Sequence, residues 1–72
     1  MMEVLVFKTN VTSKKKVGMI APLLTSFPTI SQWNFDLEDR DKVLRIEATG
    51  LNPVVVEQLL LAAGFNCREL DY

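Results

Sequence analysis

A chain of 72 residues, 49% hydrophobic and 24% charged, is long enough for one small globular domain over residues 1–72 and too short for two. A net charge of −1 and a pI of about 5.2 exclude the whole-domain basic field that draws nucleic acid or an anionic membrane surface. Cys67 is the single cysteine, so no internal disulfide can support a core that removes only about 60% of the unfolded surface from water.

Met1-Met2-Glu3-Val4 has no basic n-region, and Lys8 soon interrupts the apolar stretch. No secretory signal is expected, and a free thiol without one suggests a cytoplasmic protein. Glu3–Thr9 is rich in Val, Leu and Phe and is read as a central strand. Asn10-Val11-Thr12-Ser13 follows as a loop that ends on Ser13, a helix N-cap. Val17, Ile20, Ala21 and Leu24 then fall at i, i+3, i+4 and i+7, which is one helical stripe. Gly18 and Pro22 weaken that helix and lie four apart, so a kink or tightened end is expected there, with no break into two helices.

Ser26-Phe27-Pro28-Thr29 is a turn. Ile30–Leu37 carries Trp33, Phe35 and Leu37 at strand spacing, and Glu38–Asp41 makes a charged hairpin loop. Lys42–Ala48 alternates, with Leu44 and Ile46 on one face and Arg45 and Glu47 on the other. Asn52 before Pro53 is a strong helix start, and Gly64 is placed for a left-handed stop after Ala63. The longest apolar run, Leu59–Ala63, is far below the ~20 residues of a membrane span. Phe65–Leu70 is a last short strand.

Two strand–helix–strand units joined by a hairpin give an α+β domain of βαββαβ order. The expected sheet is four-stranded and antiparallel, order 4-1-3-2, with both helices on one face. Asn10–Ser13, Glu38–Asp41 and Gly64–Phe65 then share one end, the natural functional rim.

The chain resembles the heavy-metal-associated (HMA) domain, the fold of small copper chaperones and of the N-terminal modules of copper- and zinc-pumping ATPases. The likeness spans nearly the whole chain. It rests on the element order, the loop-to-helix junction after the first strand, Trp33-x-Phe35-Asp36-Leu37, Val43-Leu44-x-Ile46 and Ala63-Gly64-Phe65. The resemblance implies a ferredoxin-like sandwich. It also implies a Met-x-Cys-x-x-Cys loop whose thiolates clasp a soft cation. With Val17 set at the family's helix valine, Lys8, Asn10 and Ser13 stand where the methionine and the two cysteines belong. Soft Cu(I) prefers sulfur, so an amide and a hydroxyl imply a degenerate site.

Cys67, by alternation from Phe65, is read as a small core residue facing the helices. As a soft-metal ligand it would need a second molecule or Met19. Lys14, Lys15 and Lys16 oppose the helix dipole. They are read as a solvated rim that Glu38, Asp39 and Asp41 could offset, or, with Phe65, as a partner-binding rim like the lysines that copper chaperones use beside this loop. Asp36, Glu38, Asp39 and Asp41 lack the spacing of a calcium loop. The second helix is apolar nearly all round, which suggests burial on more than one side. Leu5, Phe7 and Val43 are assigned to the open face of the sheet and, with Val54 and Leu61, form a candidate dimer patch.

The chain has no His, and no nucleophile beside an activator, so no enzyme activity is expected. Acylphosphatases share the topology, but their phosphate-gripping Arg is absent from the first loop. The favoured reading is a non-enzymatic protein-interaction module, binding a protein partner or itself as a homodimer, without cofactor, nucleic acid or membrane. The alternative is copper or zinc binding or trafficking through an unconventional site at Cys67.

Overall fold

The computed structural model describes residues 1–70, in the order β1 (Met2–Thr9), α1 (Lys14–Thr25), β2 (Ile30–Asp36), β3 (Val43–Thr49), α2 (Pro53–Ala62) and β4 (Cys67–Glu69). All pairings are antiparallel and the sheet runs β2-β3-β1-β4. That is the expected 4-1-3-2 order, read from the other edge.

Local chemistry sets the element ends. Ser13 Oγ accepts the Lys16 N–H at 3.3 Å and starts α1. The helix continues through Pro22 to Thr25 as one unit, and it closes with a tightened bond from the Phe27 N–H to Leu24 at 3.2 Å. Asn52 Oδ1 accepts the Val54 N–H at 3.0 Å, ahead of Pro53 in the first turn of α2. Gly64, at φ +94°, lets the Phe65 N–H return to Leu60 and its own N–H to Leu61, the paired bonds that end a helix on a left-handed residue. That turn, and the loop after it, take Phe65 and Asn66 out of the ladder, so β4 begins only at Cys67.

Ile20 and Leu24 of α1 and Val56 and Leu60 of α2 join one core with Leu5, Phe7, Leu44, Ile46 and Ala48 of the sheet. Both helices therefore cover the same sheet face. Phe7 and Leu5 stand opposite Leu44 and Ile46 and point into that core, at 0% and 8% exposure. Their expected place on the open face is corrected. Lys8 has to face water, and alternation carries Val4 and Val6 outward with it. The open face accordingly holds Val4, Val6 and Val43 beside Arg45 and Glu47.

Phe7→Ala should cost about 3–5 kcal/mol of unfolding free energy, and Val4→Ala less than about 1 kcal/mol. Urea titrations of the two variants check this order. Equal losses would contradict the assigned strand faces.

Candidate functional site

The end of β1 ties the rim together. The Thr9 N–H donates to the Asp41 carbonyl at 3.0 Å, and the Thr9 hydroxyl donates to the Lys42 carbonyl at 2.6 Å while accepting the Val11 N–H at 3.1 Å. One residue on, the Asn10 N–H donates to the Asn66 carbonyl at 3.3 Å, and Asn10 Oδ1 accepts the Asn66 N–H at 2.8 Å. The first loop, the hairpin and the approach to β4 are thus joined, as the topology requires.

Asn10 and Ser13, which the sequence resemblance sets at thiol positions, are both engaged in the fold. Asn10 clasps Asn66, and Ser13 caps α1. Lys14, Lys15 and Lys16 are exposed, and Lys16 Nζ reaches Thr12 Oγ1 at 3.0 Å. The expected offset of these lysines by the hairpin is not made. Among the described residues the ion pair is Lys8 with Asp41, at 3.6 Å. The hairpin carboxylates turn inward on their own backbone: Asp36 Oδ1 accepts from Glu38 and Asp39, and Asp39 Oδ1 accepts the Asp41 N–H at 2.8 Å. Among the described residues no three His, Cys, Asp or Glu side chains gather as a metal site would need.

Phe65 is 8% exposed and packs in the core, so its assignment to a partner-binding rim is corrected. The cause is the end of α2, which turns Phe65 back over Leu60.

Cys67 lies opposite Thr9 and faces the helix side, half-buried, as alternation implied. It lines a groove of about 690 Å³ with Val54, Glu57, Leu61 and Asn66. Burial, and then the Glu57 carboxylate, push the thiol up from 9.0 to about 12. The same Glu57 accepts the Glu69 N–H through Oε2 at 2.8 Å, which holds the helix to β4. Met19 stands exposed on α1 and does not line this groove. The sulfur pair considered for a soft cation is not assembled.

Val54, Val55 and Leu61 are exposed along the outer side of α2, at 49%, 39% and 64%. The expected burial of that helix on several sides is not met within the chain. Sequence reasoning missed Asn66, Glu57 and Thr9. Thr9 carried a usable signal, because the parity set by Lys8 turns its hydroxyl inward.

The element order and the sheet order define a ferredoxin-like βαββαβ fold. No family model and no curated protein sequence matches the chain. Among solved structures, the chain is similar to the apo form of the HMA domain of a copper chaperone for superoxide dismutase. The match has a TM-score of 0.79 at 18% identity and covers 99% of this chain and 69% of that one.

Folding raises the Cys67 value, so the stability it contributes is complete below 9.0 and is lost as pH climbs toward about 12. The urea midpoint of the wild type should fall more steeply across that window than that of Cys67→Ala. Parallel declines would contradict a thiol held protonated by its surroundings.

Proposed function

We propose that this protein is a non-enzymatic protein-interaction module on an HMA scaffold that has given up its metal ligands. The carrying observation is the engagement of Asn10 and Ser13: one oxygen closes the loop onto Asn66 and the other caps a helix. Soft cations select sulfur, and these two side chains offer an amide and a hydroxyl already committed to backbone N–H groups. Cys67, the chain's sole thiol, is held protonated and is therefore a poor ligand. Absence of His removes the commonest general base, which supports a role without catalysis.

Two surfaces are offered to a protein partner. Lys14–Lys16 present an exposed cationic run that forms no ion pair among the described residues, which suits an acidic patch. Val54, Val55 and Leu61 present an apolar strip on α2, of the kind that marks contact surfaces. A cytoplasmic, reducing setting fits a chain with one free thiol. The alternative is a copper- or zinc-handling protein that uses Cys67 with a second molecule. It draws on the opening of the Cys67 groove to solvent.

A Cu(I) titration against a competing chelator under reducing conditions separates the two. The wild type and Cys67→Ser should both fail to compete. The Asn10→Cys/Ser13→Cys variant, which rebuilds a thiol pair on the same loop, should bind one equivalent. Tight stoichiometric binding by the wild type, abolished in Cys67→Ser, would replace the proposal with the alternative.

A further inference from the structure

The sheet has two edges, and they differ. β4 is three residues long and includes Arg68 and Glu69, features that blunt an edge. β2 is seven residues long, Ile-Ser-Gln-Trp-Asn-Phe-Asp, with neither Lys nor Pro in it. Its one irregularity lies between Ile30 and Gln32, so Gln32–Asp36 is a regular ladder against β3. Opposite Glu47, Arg45 and Val43, the backbone groups of Gln32, Asn34 and Asp36 turn toward β3, because the alternate groups of β3 already serve β1. The N–H and C=O of Trp33 and Phe35 then point outward along an open edge.

We propose that β2 pairs antiparallel with β2 of a second copy of this chain, about a two-fold axis at Asn34. This rests on the reading of the domain as an interaction module and names one of its partners. The occupant follows from the strand's own pattern. Centring on Asn34 uses only the regular part of the ladder. Trp33 and the second copy's Phe35 then exchange N–H···O bonds in both directions, and symmetry repeats the exchange. On the helix side, Trp33 and Phe35, both half-exposed and already edge-to-face at 6.1 Å, each gain an aromatic cross-strand neighbour. On the open face, Gln32 meets the second copy's Asp36, an amide donor beside a carboxylate. At the axis Asn34 meets itself, and a carboxamide is both donor and acceptor. No like charges come opposite one another. Centring on Trp33 would instead draw the irregular Ser31 into the pairing.

A five-residue edge buries less than about 1,000 Å², so the dimer is weak and concentration-dependent. Sedimentation velocity over a concentration series tests it, together with emission from Trp33, the chain's sole tryptophan. The wild type should dimerise reversibly with a blue shift of that emission. Asn34 is exposed, so Asn34→Asp and Asn34→Lys should fold normally by circular dichroism. Each should weaken the dimer by roughly fivefold or more, since like charges then meet at the axis, about 4.5 Å apart between Cα atoms. An equimolar mixture of the two should associate more tightly than either alone. A wild type that stays monomeric at millimolar concentration, or a mixture that gains nothing, would overturn the inference. Loss of the dimer in Leu61→Glu with Asn34→Asp unaffected would also overturn it, while leaving the interaction reading intact. The Cu(I) titration judges that reading separately.

Discussion

The end of β1 is the constraint on which the rest depends. Thr9 and Asn10 are consecutive, and alternation sends their main-chain groups to opposite sides: Thr9 to the hairpin between β2 and β3, Asn10 to the approach to β4. Two neighbouring residues thus fix both flanks of the central strand. The Asn10 side chain then repeats, through its carboxamide, the link that its backbone has already made to Asn66. Each bond to an otherwise unpaired N–H contributes about 1 kcal/mol and, more to the point, removes the larger penalty of leaving that group unsatisfied. Among the described residues no buried side-chain polar atom lacks a partner. The rim is therefore a closed hydrogen-bonded structure, and Asn10, which the family resemblance sets at a thiol position, takes part in its closure.

Much of the fold was legible because its signals are local and redundant. Asn52-Pro53 and Gly64 bracket α2 with side-chain and backbone chemistry that needs no tertiary information. Leu44 and Ile46 alternate with Arg45 and Glu47, so β3 declares its own faces. β1 does not, because Val4, Leu5, Val6 and Phe7 are all apolar and a one-residue slip of parity leaves the hydrophobic pattern unchanged. Lys8 carried the missing bit. Phe65 failed for a different reason: its direction is set by the left-handed turn at Gly64, which folds the chain back over Leu60 before the strand begins. β4 starts at Cys67 and not at Phe65 for the same reason.

The candidate site was legible in composition and not in contact. That the first loop lacks sulfur can be read directly from Asn10 and Ser13. That Ser13 is spoken for is legible as a local N-cap, but the engagement of Asn10 depends on Asn66, which is 56 residues away and has no distinguishing local signal. The environment of Cys67 is similar. Alternation gives its side of the sheet, but its resistance to ionisation comes from burial beneath α2 and from Glu57, a neighbour supplied by packing alone.

Closing the rim has a structural counterpart elsewhere. A domain this small has few places to put apolar side chains, and the core takes those on one face of each element. What remains outside includes Met2 and Val4 on β1, Met19 on α1, and Val54, Val55 and Leu61 on α2, while Trp33 and Phe35 stay half-covered on β2, an edge with no strand beyond it among the described residues. The rim's hydrogen bonds are internally satisfied, whereas the β2 edge keeps backbone donors and acceptors that only another strand can match geometrically. Unsatisfied, directional groups select partners more sharply than an apolar strip does, because a strand must arrive in one direction and one parity. The rim closes on itself, whereas the β2 edge, two strands away from β1, keeps main-chain groups that its neighbour β3 does not use.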